Sequence, residues 1–150
     1  MIHFAPPRYC PDLAATFPAV PLKPSTYLRM RRVASGMTPR DVGSRLAANN
    51  DDVSIAMATA MVALLEMPGV VAKREDSLER LRSVFRFDAD VYRQLAHDPQ
   101  GIHPQICQGC GCSAWDQHVG ADGSESLEWA APGLCTVCAN ARALVAGYKR

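Results

Sequence analysis

The chain has 150 residues, 48% of them hydrophobic and 21% charged, with a formal net charge of +1. That is enough to bury a modest core in one domain or two small ones. It excludes a membrane-spanning helix, because the longest apolar run, residues 55–65, is eleven residues and rich in small alanines.

The chain opens with Met1-Ile2-His3-Phe4-Ala5-Pro6-Pro7-Arg8, without the basic start and apolar stretch of a secretory signal. The expected location is the cytoplasm, with reduced thiols. Six of the eleven prolines fall within residues 1–24 and prevent any long helix or central strand there. This stretch reads as an extended arm, either disordered or packed through Phe4, Tyr9, Phe17 and Leu22. Cys10 stands alone in it as an unpaired thiol. Charge is uneven: residues 1–48 carry seven Arg/Lys against two acids, and residues 49–72 carry three acids and no base.

Helices follow. Ser25-Thr26 offers an N-cap for a helix over 27–34, which Ser35-Gly36 stops. Thr38-Pro39 restarts it, with proline at the first helical position, Asp41 at the positive helix start, and Val42 and Leu46 on the apolar face. After Asn49-Asn50-Asp51-Asp52, Ser54 can cap a helix over 55–66 that is apolar nearly all round, so it must be buried or covered by a partner. Ile55, Met57, Met61, Leu64 and Leu65 are its candidate interface residues, for a homodimer or a foreign protein. Met67-Pro68-Gly69 ends it. Leu78, Leu81, Val84 and Phe85 keep helical spacing, as do Val91, Tyr92 and Leu95 after Asp88-Ala89-Asp90. Five helices are expected before the break at His97-Asp98-Pro99-Gln100-Gly101. The boundaries are thus an arm over 1–24, a helical domain over 25–97, a linker over 98–106 and a cysteine-bearing domain over 107–150.

In that last segment Cys107 and Cys110 are answered by Cys135 and Cys138, two CxxC pairs with 24 residues between the inner cysteines. Four soft ligands from two segments at this spacing build a tetrahedral Zn²⁺ site, and Gly111 eases the knuckle turn. One structural zinc ion is the expected cofactor; two disulfides are the alternative. Asp122-Gly123 marks a reversal between residues 115–119 and 126–129, so a β-hairpin is expected, followed by a helix over 139–148 that the second cysteine pair opens. Knuckle, hairpin and helix make a treble-clef or zinc-ribbon-like finger. Trp115 and Trp129 would cover ion and hairpin, or else stack on bases. Cys112 and His118 are candidates for an additional metal role, though two ligands do not close a site. His3, His97 and His103 belong to no recognisable motif.

Residues 28–46, Leu-Arg-Met-Arg-Arg-Val-Ala-Ser-Gly-Met-Thr-Pro-Arg-Asp-Val-Gly-Ser-Arg-Leu, resemble the opening of Cro/repressor-type (XRE-like) helix-turn-helix domains. Glu66 sits where those domains carry a glutamate closing the third helix, and Leu78, Leu81 and Phe85 where the fourth buries its face. The resemblance implies a mainly α, helix-turn-helix-like domain that docks on double-stranded DNA, with Arg29, Arg32, Arg40 and Arg45 as the matching cations. The third helix departs from the family, being about nine residues late and Ala- and Met-rich, whereas base readout needs Arg, Lys, Asn or Gln. The cysteine-rich tail, from Cys107 through Trp115 and Trp129 to Ala139, resembles tails of small phage and prophage proteins, which carry more cysteines between the pairs. That resemblance implies a phage or prophage context, in a bacterial cell.

No phosphate-cradling loop, nucleophile elbow or HExxH is present, and a four-thiolate zinc site leaves no open position for substrate water. A non-enzymatic protein with no small-molecule substrate is therefore expected. The charge surplus in residues 1–48 favours a small DNA-binding transcriptional regulator with a structural zinc finger. The apolar third helix favours the alternative, a protein-interaction module such as an adaptor or inhibitor.

Overall fold

The computed structural model describes residues 22–98, 104–119 and 122–147. The arm up to residue 21, with His3 and Cys10, lies outside the described residues, as do His103 and Tyr148.

Proline opens the first helix. Lys23 holds the extended N-cap conformation and Pro24 takes the first position of α1 (Pro24–Ala34), so the helix begins before the hydroxyl cap that Ser25-Thr26 suggested. A pyrrolidine ring already has helical φ and lacks the N–H that would go unpaired. Ser25 is instead buried in the first turn. In α2 (Pro39–Leu46) a capping box forms: the Asp41 N–H donates to Thr38 Oγ1 at 3.1 Å, and the Thr38 N–H donates to the Asp41 carboxylate at 2.7 Å. These bonds from Thr38 hold the Asp41 carboxyl below its ordinary range.

For α3 (Asp52–Leu65) the cap is Asp51, not Ser54. The Asp51 carboxylate accepts from the backbone N–H and the hydroxyl of Ser54, both at 2.8 Å. An aspartate one turn earlier satisfies the same orphan donors and adds a negative charge at the positive helix end. Helices α2 and α3 cross at Gly43, where a Cβ would sit 2.2 Å from Thr59 Oγ1 and 2.7 Å from Thr59 N. Only a residue without Cβ permits that approach.

The core lies between these helices and α4 (Glu75–Arg82) and α5 (Ala89–His97). Leu28, Val42, Leu46, Val62, Leu65, Leu78, Leu81, Phe85 and Leu95 are buried together. Two tyrosines fasten the loops around it. Tyr27 Oη accepts from the Asp88 N–H at 3.0 Å, and Tyr92 Oη accepts from the Ala72 N–H at 2.9 Å. Burial raises the pKa of both phenols. Leu65 is thus a core residue and leaves the candidate interface, and Met61 packs partly against the same cluster. Ile55 is half-buried.

What α3 turns outward keeps Met57 and Leu64 of the expected set. Val53, Met57, Leu64 and, just beyond the helix, Met67 are 69%, 70%, 52% and 54% exposed, with exposed Ala60 between them. Among the described residues no helix is long and apolar enough to cross a membrane.

The cysteine segment is fused to this helical body. Ile106, in the expected linker, is buried in the helical core, and Trp115 packs against that core as well. Beyond them the single expected hairpin resolves into two. Strand β1 (His118–Val119) pairs antiparallel with β2 (Glu125–Ser126), His118 opposite Ser126. Trp129 belongs to β3 (Trp129–Ala131), which pairs with β4 (Leu134–Cys135) through a turn at Gly133. The second turn was missed because Pro132-Gly133 is a shorter signal, nested within three residues of Cys135. Helix α6 (Thr136–Gly147) follows, with none of its residues buried.

Candidate metal centre

Backbone hydrogen bonds shape the first cysteine pair into a tight knuckle. The Gly111 N–H donates to the Cys107 carbonyl and the Cys107 N–H to the Cys112 carbonyl, each at 2.9 Å. Gly111 has φ +76°, in the left-handed region that glycine adopts without strain. The second pair is delivered by two elements, Cys135 by the end of β4 and Cys138 by the first turn of α6. The Gln108 N–H, donating to the Gly133 carbonyl at 2.8 Å, ties the two halves together.

The result is a sulfur cage. The Sγ atoms of Cys107, Cys110, Cys135 and Cys138 all lie within 4.8 Å of one another. Cys107 Sγ accepts N–H bonds from Gly109 at 3.3 Å and Cys135 at 3.4 Å, the pattern that stabilises a thiolate. At Gly109 a Cβ would stand 2.7 Å from Cys138 Sγ, so the glycine leaves room for the fourth sulfur. The five described cysteines are all free, and no disulfide joins them. These residues fit a structural metal with soft ligands.

A second set shares two of the same sulfurs. Cys110, Cys112, His118 and Cys135 also place their ligand atoms within 4.8 Å of one another. The Cys110 thiol is pushed far down, chiefly by the hydrogen bond from Cys112, and Cys112 is correspondingly pushed up by that bond and then by burial. Burial is the first cause of the rise at both Cys135 and Cys138.

A buried ion pair clamps the cage to helix α1. The Arg31 guanidinium lies 2.7 Å from the Asp116 carboxylate and also donates to the Cys110 carbonyl at 3.3 Å. Arg86 approaches the same carboxylate at 2.8 Å and also bonds Glu125. Desolvation raises the Asp116 pKa, and the two guanidiniums oppose that rise. Asp116 escaped the sequence because its partners come from distant helical segments and no local motif marks it. The tryptophans divide their work: Trp129 packs on the cysteine cluster and Trp115 on the helical core.

Of the four arginines expected to contact DNA, Arg32 is withdrawn. Its guanidinium makes two bonds to Glu66, at 2.6 and 2.8 Å, and a third to the Met37 carbonyl, and only 6% of the residue is exposed. Arg29, Arg40 and Arg45 are exposed and form no ion pair among the described residues. Comparison of the sequence with protein-family models and curated proteins, and of the fold with solved structures, gives no match.

Proposed function

We propose that the chain is a non-enzymatic protein-interaction module, a helical body braced by a zinc-thiolate finger of treble-clef type, that docks another protein through α3. The observation that carries this reading is the exposed apolar row on α3. Val53, Met57, Ala60, Leu64 and Met67 follow one another at alternating steps of four and three, the spacing with which one helix packs along another. Their exposure, from 52% to 70% for the four large side chains, leaves a continuous apolar strip on an otherwise folded surface. No base occurs in residues 49–72, so a phosphate backbone would gain nothing from this face.

Such a row is self-complementary across a two-fold axis, so a second copy of the chain is the proposed partner. Sedimentation of the full chain, with Met57→Glu and Leu64→Glu introduced together, tests this. The wild type is expected to sediment as a dimer and the variant as a monomer of unchanged helical content. A monomeric wild type at tens of micromolar would overturn the self-association.

DNA binding is the second reading. In its favour, Arg32 and Glu66, both part of the helix-turn-helix resemblance, meet in a buried pair, and Arg29, Arg40 and Arg45 stay free for phosphates. Affinity for mixed duplex DNA that falls steeply with salt and vanishes in Arg40→Glu, Arg45→Glu would support it.

A further inference from the structure

We propose that the cage holds two zinc ions in a binuclear cluster of five cysteines and one histidine, with Cys110 and Cys135 bridging both ions. Cys107 and Cys138 complete the first tetrahedron, and Cys112 and His118 the second. This rests on the metal reading above and goes beyond its single four-thiolate ion.

Ligand arithmetic is the first support. Two four-coordinate ions need eight bonds, and six side chains supply eight when two thiolates are each shared. The two ligand sets overlap in those two residues, Cys110 and Cys135, and in no others. Taken alone, Cys112 and His118 could not close a site; with both bridging thiolates they do.

Distances agree with this division. Cys110 Sγ and Cys135 Sγ are 3.8 Å apart. The edge of a tetrahedron with Zn–S bonds of about 2.3 Å is about 3.8 Å. The His118 Nε2 lies 3.7 Å from Cys110 Sγ and 3.4 Å from Cys135 Sγ. The corresponding sulfur–nitrogen edge is about 3.6 Å. The remaining contacts sort in the same way. Cys107 and Cys138 group with Cys110 and Cys135 in one set, and Cys112 and His118 group with the same two in the other.

Burial and charge give an independent reason. Cys112 is fully buried and lies beside two of the sulfurs of the first set. Two divalent ions against five thiolates leave one net negative charge, whereas one ion against four thiolates leaves two. The smaller net charge is cheaper to bury, since the Arg31 guanidinium beside the knuckle is already paired with Asp116.

The test is metal stoichiometry of the full chain purified with zinc, followed by cadmium-113 exchange and NMR. Two ions per chain and two cadmium resonances, coupled to each other through the shared sulfurs, are expected. Cys112→Ser and His118→Ala should each lower the content from two ions to one. One zinc per chain with a single cadmium resonance would overturn the binuclear cluster and leave the four-thiolate site standing; no bound metal would overturn both. The wild-type count decides the matter even where a variant fails to fold.

Discussion

Arg31 and Asp116, the one from the first helix and the other from the loop after the cysteine knuckle, form a buried ion pair at 2.7 Å. Breaking one side of such a pair strands the other charge away from water, at a cost of about 3–5 kcal/mol. Asp116→Asn is therefore expected to destabilise the helical body and the metal segment together. In urea unfolding, far-UV dichroism and tryptophan fluorescence should shift to the same lower midpoint. A helical transition that stayed in place would show that the two parts fold separately.

Arg32 and Glu66 make a second buried pair, and here the expected contrast is between a buried charge and an exposed one. Glu66→Gln should cost several kcal/mol, of the order of about 3, because Arg32 keeps its charge and loses its partner. Arg40→Glu should change stability by less than about 0.5 kcal/mol, being exposed and unpaired. Thermal denaturation of both variants beside the wild type checks this; equal losses would contradict the burial of Arg32.

At Gly43 one added methyl group is expected to disrupt the α2–α3 crossing. Its Cβ would fall 2.2 Å from Thr59 Oγ1, and Thr59 backbone atoms stand within 3 Å, so rotation of a side chain cannot relieve the clash. Gly43→Ala should destabilise by about 1–3 kcal/mol or more. Gly147→Ala, where a Cβ meets nothing, should be neutral or slightly stabilising. Chemical denaturation of the two variants measures the difference.

Removal of metal should be felt beyond the finger. Trp129 packs on the cysteine cluster, so a strong chelator at neutral pH is expected to change its fluorescence as the cage opens. Because Arg31 is held against the Cys110 carbonyl, the melting temperature of the helical body should fall in the same titration and recover on adding zinc. A spectrum indifferent to the chelator would argue that the sulfurs hold nothing.

Much of this was legible in the sequence because the signals were local. Thr38-Pro39 announces a capped helix start, CxxC spacing announces a sulfur cage, and Leu78, Leu81 and Leu95 announce buried faces, all through neighbours within a few residues. The unread features depend on distant partners. Arg32 was indistinguishable from Arg29 until Glu66 arrived beside it, and Asp116 had no local mark. On α3 the run of apolar residues hid which face turned inward. Val62 and Leu65 won burial through packing on the core, which left Met57 and Leu64 outward as expected and added Val53 to them.

The adjacent arginines of α1 carry a consequence for how the protein comes to be made. Arg31 bonds a knuckle carbonyl 79 residues further along the chain. During synthesis the first helix therefore emerges with a cation whose final partners have not yet left the ribosome, and at about 5–20 residues per second it waits several seconds for them. The nascent helical body must tolerate an open seam at α1 until the cysteine segment arrives and closes on it. If the cage holds a metal, as proposed, a chain that lacks the ion would keep its first helix unsealed.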